Sequence, residues 1–263
     1  MTEGDRGRRL ETVHVWSLRL DVGTEERVRL GELLSTDEAA RARRFVRASD
    51  RDRWVCAHGL LRLVLSRYTG LRASEIAFER AVGGKPRLAG GAGPYFNLTH
   101  ADGLALVAVS ADREVGVDVE RVRPVDGLGD LAARCFTGVE RGALAGVAAS
   151  QLLEAFFSGW TRKEAFLKLG GEGLARPLAS FDVTLTPGQP ARVLRVEGVP
   201  DAARRFTLRA VRPAPGYLGA VAVAGESALI LHRGWARLPG ERPDRRRQRA
   251  REVRTTVMDE REP

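Results

Sequence analysis

Between residues 114 and 120 the chain alternates without interruption: Val115, Val117 and Val119 fall on one side of an extended backbone, and Gly116, Asp118 and Glu120 on the other. A helical repeat would scatter the three valines around a cylinder, so this stretch must be a strand with one apolar face. Pro124 stops it. Other segments of Thr12 to Leu20, Leu104 to Val109, Phe181 to Leu185, Phe206 to Val211 and Leu218 to Ala224 also read as strands.

Between them lie helical patterns. Ser35-Thr36-Asp37-Glu38 opens one with an N-cap and acidic first turn, leading into an arm through Phe45. Ser49 to Tyr68 carries Trp54, Leu60, Leu61, Val64 and Leu65 at core-facing spacings and ends at Thr69-Gly70. Leu128 to Arg134, Val139 to Gly146 and Gln151 to Leu169 complete the helices, the last closed by Gly170-Gly171. Residues 1–112 and 113–232 each mix long helices with several strands, which predicts an α+β protein of two lobes. Residues 233–263, rich in arginine and poor in apolar side chains, are predicted to be a disordered basic tail. No repeat of solenoid spacing is visible.

With 263 residues, 43% hydrophobic and 29% charged, the chain can bury a sizeable core, which excludes wholesale disorder. No apolar run approaches the ~18 residues of a membrane-spanning helix, and no apolar leader follows the N-terminus, so a soluble cytoplasmic protein is expected. Cys56 and Cys135 stand far apart, which excludes a disulfide scaffold and a cysteine-based zinc site. The net charge of +9 invites a nucleic-acid reading, but +4 of it lies in residues 233–263 and only +5 in residues 1–232. Of 43 basic residues just three are lysine: Lys85, Lys163 and Lys168. A lysine retained in such a background points to a place where a compact ammonium is needed and a planar guanidinium does not fit.

The strand period puts Asp118 and Glu120 on one face, roughly 7 Å apart along the chain. Paired carboxylates suit Mg²⁺, while a solvated acidic face is the plainer account of the same spacing. On the helix over 151–169, Trp160, Glu164 and Lys168 make one stripe at i, i+4 and i+8, either a third carboxylate beside a cation or an ordinary surface ion pair. Lys85, in Gly83-Gly84-Lys85-Pro86, is either presented to a phosphate or nucleotide, or a solvated hairpin residue. His100 follows Asn97 and Thr99 at a strand end and is either a structural histidine, the commoner role of a lone His, or one placed for phosphate contact. There is no His-Glu-x-x-His, Walker loop, Gly-x-Ser-x-Gly elbow or strand-linked Gly-x-Gly-x-x-Gly, which removes the main support for zincin, P-loop, α/β-hydrolase and Rossmann readings.

In this order, Gly84-Lys85-Pro86, Phe96-Asn97-Leu98-Thr99-His100, Gly116-Val117-Asp118-Val119-Glu120 and Trp160-Thr161-Arg162-Lys163-Glu164-Ala165, with Lys168 and Gly173-Leu174, resemble the Sfp-type 4′-phosphopantetheinyl transferases. With the arm from Ser35 to Phe45 and Arg53, the resemblance covers about residues 12 to 224. It implies a pseudo-dimer of two similar α+β lobes with coenzyme A in the cleft between them. It implies that Asp118, Glu120 and Glu164 bind Mg²⁺ with the coenzyme A pyrophosphate, that Glu164 helps remove the proton of the attacking serine, and that Lys168 stabilises developing phosphate charge. Lys85, Pro86, Thr99 and His100 would line the adenosine and phosphate side, with Arg53 and Arg41 toward the 3′-phosphate. The implied reaction places phosphopantetheine on a serine of an acyl, polyketide or peptidyl carrier protein and releases adenosine 3′,5′-bisphosphate; secondary-metabolite carriers are the first expectation, and the protein is expected to be a monomer.

The sequence departs from the family pattern at Thr99 and Ala101, where serine is common, and at Glu38, where some members carry a basic residue. Two other classes compete: a Mg²⁺-dependent hydrolase of nucleotide pyrophosphates using the same carboxylates, and a basic nucleic-acid-binding protein whose tail contacts phosphates. With 16 aromatic residues, none in a stacking motif, and no helix-turn-helix or zinc-finger pattern, no nucleic-acid partner is expected. A degenerate member that binds coenzyme A without turnover is disfavoured by the intact acidic and lysine positions.

Overall fold

A computed structural model describes residues 12–81, 83–91, 93–170, 176–225 and 229–233. Of the tail expected over 233–263, Arg233 is instead the last residue of a strand; the rest of it and the Gly173-Leu174 motif lie outside the described residues. The chain opens with strand β1 (Thr12–Arg19), whose Val13 and Val15 face one side and Trp16 and Leu18 the other. Helix α1 (Thr24–Glu32) follows, then α2 (Thr36–Ala42) and the long α3 (Ala48–Thr69).

Local chemistry sets these boundaries. Ser35 accepts the Glu38 backbone N–H while the Glu38 carboxylate accepts the Ser35 N–H, a reciprocal cap that starts α2. The same carboxylate takes the buried Arg62 guanidinium of α3 at 2.6 Å, so Glu38 fastens the arm to the body rather than facing a ligand. Gly70, at φ +73°, supplies the left-handed residue that ends α3.

The hairpin of β2 (Phe78–Arg80) and β3 (Pro86–Leu88) leads to β4 (Tyr95–Ala101), β5 (Leu104–Ser110) and β6 (Val115–Arg121). Helices α4 (Leu128–Cys135), α5 (Gly138–Ala145) and α6 (Leu152–Gly170) come next. The chain continues through β7 (Phe181–Val183), β8 (Val193–Val196), the short α7 (Ala202–Arg205), β9 (Phe206–Val211), β10 (Tyr217–Ala224) and β11 (Leu229–Arg233).

Two sheets organise this mixed α+β fold. The first has the order β11-β1-β5-β4, antiparallel except for the β1/β11 pair; the second, β6-β10-β9, is antiparallel throughout. Their inner faces meet in one apolar cluster, with Val13, Val15, Leu104, Leu106 and Ala108 against Val115, Val117, Val119, Val221 and Val223. Each outer face is covered by a long helix: α3 lies on Trp16, Leu18, Val107 and Val109, and α6 on Leu208, Ala220 and Ala222. The layers therefore run helix, sheet, sheet, helix, and β5 is buried along its whole length.

The strands expected at 12–20, 104–109, 114–120, 206–211 and 218–224 form, as do the helices expected at 49–68, 128–134, 139–146 and 151–169. Helix α1, β8 and β11 were not expected. Strand β11 pairs in parallel with β1, so residues 229–233 close an edge of the sheet built by residues 12–110.

Candidate active site

The site sits where the edge strands of the two sheets meet. Strand β6 is an edge of its sheet, and its Val117 N–H is taken by the Asn97 Oδ1 of β4 at 2.9 Å, so a buried side chain joins the two edges. That bridge puts Thr99, two residues along β4, beside Asp118: Thr99 Oγ1 donates to Asp118 Oδ1 at 3.1 Å.

Helix α6 closes over the same place because Gly116 lets it. A Cβ at Gly116 would stand 2.1 Å from the Ala165 carbonyl oxygen and 2.5 Å from the Leu169 nitrogen, so no larger residue leaves the helix where it is. The close approach delivers Lys168, whose Nζ lies 2.5 Å from Asp118 Oδ1 and 3.3 Å from Thr99 Oγ1. The expected stripe is present: Trp160, Glu164 and Lys168 are all partly buried on the side facing β6, and the Trp160 side chain hydrogen-bonds Glu120. Glu120 also meets the Arg123 guanidinium at 3.6 Å.

Asp118 and Glu120 do not form a solvated acidic face. Asp118 is 4% exposed, and its Oδ2 has no hydrogen-bond partner among the described residues. Burial pushes the Asp118 carboxyl above its usual range against the pull of Lys168. Burial raises Glu120 and Glu164 too; Asp118 adds to both shifts and Lys168 opposes them. Three carboxylates thus share a neighbourhood in which burial outweighs the nearby cations.

These residues fit a hard divalent cation in donor type and in the unused Asp118 oxygen. A three-ligand cage is not preformed among the described residues, and Asp118 Oδ1 is held by Lys168.

The remaining predicted residues are held by separate contacts. His100 follows Thr99 on β4, and burial, Lys168 and Arg53 together lower its imidazole pKa. Arg53 of α3 makes loose ion pairs with Asp21 at 3.7 Å and Asp102 at 3.9 Å. Arg41 of α2 lies over the Trp54 ring, 5.9 Å from its centroid, and Trp54 stacks on His58 at 3.7 Å. His58 went unnoticed in the sequence; burial, with Arg41 and His100 adding to it, brings its pKa down to about 4.

Lys85 is neither solvated nor pointed at open space. Its Nζ donates to Glu114 Oε2 at 2.5 Å, the Val115 carbonyl at 2.9 Å and the Leu169 carbonyl at 3.3 Å, tying the glycine-rich turn to the start of β6 and the end of α6. Lys85, Pro86, Tyr95, Phe96 and Glu114 line an adjoining hollow of about 120 Å³. Lys163 is elsewhere altogether: it is fully buried between α6 and α5, its Nζ 2.7 Å from both Glu140 oxygens and from the Phe181 carbonyl.

Comparison with known proteins adds an independent line. Residues 23–112 match the model of the 4′-phosphopantetheinyl transferase N-terminal region, and residues 114–221 that of the 4′-phosphopantetheinyl transferase superfamily. The chain is 36% identical over 218 residues to the 4′-phosphopantetheinyl transferase HetI of Nostoc, covering 82% of this chain and 89% of that one. It is 30% identical over 201 residues to the 4′-phosphopantetheinyl transferase Sfp of Bacillus subtilis, covering 76% and 86%. A crystal structure of a holo-(acyl-carrier-protein) synthase from Bacillus anthracis aligns over 43% of this chain and 96% of its own, at 20% identity and a TM-score of 0.35. With Thr99, Asp118 and Lys168 brought together at one edge and both halves matched in order, the chain belongs to the Sfp-type 4′-phosphopantetheinyl transferase family.

Proposed function

We propose that this protein transfers 4′-phosphopantetheine from coenzyme A to a serine of an acyl, polyketide or peptidyl carrier protein in a Mg²⁺-dependent reaction. The observation that carries the reading is the buried junction of Asp118, Thr99 and Lys168, built from three of the four motifs and lying beside Glu120 and Glu164. Asp118, Glu120 and Glu164 would hold the Mg²⁺, which supplies charge neutralisation at the pyrophosphate when bound.

The serine Oγ attacks the β-phosphorus and the bond to the bridging pyrophosphate oxygen breaks, so adenosine 3′,5′-bisphosphate leaves with the electron pair. Glu164 accepts the serine proton. Lys168 gives its ammonium to the phosphate oxygens as charge moves to the leaving group. Thr99, His100, Lys85 and Pro86 bound the adenosine side, and Arg53 and Arg41 face the 3′-phosphate.

Residues 1–112 and 113–232 are read as two related lobes with the site between them, in a monomeric, cytoplasmic enzyme with no nucleic-acid partner. The two family matches meet between residues 112 and 114, where this reading puts the boundary. Among the described residues no helix is long and apolar enough to cross a membrane.

The test is intact-mass spectrometry of a purified apo carrier protein after incubation with the enzyme, coenzyme A and Mg²⁺. One phosphopantetheine adduct, lost when EDTA is added, is the expected result. Free phosphopantetheine with an unmodified carrier would replace transfer by hydrolysis.

A further inference from the structure

Lys168 holds one oxygen of the carboxylate site. Its ammonium is in contact with Asp118 Oδ1 and near Thr99 Oγ1, and its charge is felt favourably by Glu120 and Glu164 as well. Its ion pair is with Asp118, and Glu120 has a second cation in Arg123. Asp118 keeps Oδ2 buried and unpartnered, yet no three-ligand cage stands ready among the described residues. A divalent ion on the second oxygen of Asp118 and this ammonium on the first would repel each other strongly in a partly dry site.

Lys168 is also equipped to leave. Its side chain is about one-third exposed, on a flexible four-carbon stem, at the last turn of α6. It departs from Asp118 without penalty only if another anion receives it, and a pyrophosphate is such an anion.

We infer that Lys168 is a resident counter-cation that keeps Asp118, Glu120 and Glu164 from taking a divalent ion alone and yields when a pyrophosphate-bearing ligand accepts its ammonium. Ion and ligand then load together, each favouring the other by the same factor, as linkage requires. The inference rests on the transfer reading for the identity of the ligand, but the competition between Lys168 and the ion does not. It also explains why a chain that turns nearly every basic position to arginine keeps a lysine here: a guanidinium bound to Asp118 through two parallel hydrogen bonds would be a poorer group to displace.

The experiment measures Mn²⁺ binding to the full chain by the electron paramagnetic resonance signal of the free ion, with and without coenzyme A. It compares the wild type with Lys168→Met, Lys168→Gln, Lys168→Arg and Arg123→Met. Without coenzyme A, Lys168→Met and Lys168→Gln are expected to bind Mn²⁺ at least tenfold more tightly than the wild type, and the further tightening caused by coenzyme A shrinks accordingly. Lys168→Arg stays weak. Arg123→Met, which removes a cation from Glu120 alone, changes affinity less than threefold. Adding Asp118→Asn to Lys168→Met abolishes the gain.

Equal Mn²⁺ affinity in the wild type and both neutral variants overturns the inference, and so does a gain that survives Asp118→Asn or is matched by Arg123→Met. Carrier modification by the same wild-type preparation separates the two readings. If the carrier is modified but the neutral variants bind Mn²⁺ no better, the counter-cation role alone fails. If the carrier stays unmodified while the neutral variants gain affinity, the transfer reading fails and the competition stands.

Discussion

Helix α6 carries two lysines five residues apart, and each meets a carboxylate in a different manner. Lys163 places its Nζ 2.7 Å from both oxygens of Glu140 and from the Phe181 carbonyl, while Glu140 also accepts the N–H groups of Thr137 and Val183. Every strong hydrogen-bonding atom in that pair is used. Lys168 meets only one oxygen of Asp118; the other is buried without a partner among the described residues, and the Lys168 side chain stays partly exposed. A buried pair that satisfies all its atoms is architecture, here joining α5, α6 and β7. A pair left half satisfied is held at a cost to the fold, and such sites belong to chemistry.

Substituting each carboxylate by its amide sharpens the contrast most. Asp118→Asn should lower transfer to a carrier protein at least a thousandfold, about 4 kcal/mol of barrier, because it removes a metal-binding charge and the anchor of Lys168. Its unfolding midpoint in urea should equal or exceed that of the wild type, since a desolvated carboxylate has been neutralised. Glu140→Gln should do the reverse. It strands Lys163 in the core and costs about 3–4 kcal/mol of stability, read from urea unfolding, while the surviving folded fraction still modifies its carrier. A destabilised Asp118→Asn, or a Glu140→Gln as stable as the wild type, would dissolve the distinction between the two pairs.

The same two lysines mark how far the sequence could be read. Scarcity of lysine drew attention equally to Lys163 and Lys168, because composition carries no information about partners. Glu140 lies 23 residues from Lys163, at the N-terminal turn of a different helix, and nothing local announces their meeting. Asp118 and Glu120 were legible because strand period alone puts them on one face, but their burial was not: it depends on α6 approaching Gly116. The long α3 and α6 declare themselves by helical spacing and by Gly70 and Gly170. Helix α1, with Leu30 as its one fully buried side chain, has too thin an apolar face to stand out. Strand β11 needs β1, more than 200 residues earlier, to be a strand at all. Glu38 looked like a lost phosphate ligand until Arg62 was seen beside it.

His58 extends the comparison to a titratable group that burial, more than any neighbouring charge, keeps neutral. Its folded pKa is about 4 against the usual 6.5, with burial as the main cause, so the unfolded chain takes up the proton first as pH falls. The stability that neutral His58 contributes is complete above pH 6.5 and is lost as pH drops toward 4. Allowing for partial solvent screening, the loss is on the order of 2 kcal/mol. Urea unfolding at steps between pH 7.5 and 4.5 should show this slope in the wild type and a flatter one in His58→Phe, which keeps a ring against Trp54. Identical slopes would mean that His58 is not the group responsible.

The smallest effect concerns Thr99, whose hydroxyl donates to Asp118 Oδ1 and stands 3.3 Å from Lys168. If the half-satisfied pair is tuned through that single hydrogen bond, the hydroxyl matters and the methyl does not. Thr99→Ser should therefore retain transfer within about threefold. Thr99→Val preserves shape but removes the donor, and one hydrogen bond to a charged acceptor amounts to about 1.5 kcal/mol. Transfer should fall roughly tenfold, with kcat lowered more than KM for coenzyme A changes, because the residue orients Asp118 and Lys168 rather than the bulk of the ligand. If instead Thr99→Val raises KM alone, the hydroxyl serves coenzyme A directly and the Asp118–Lys168 pair holds its geometry without help from β4.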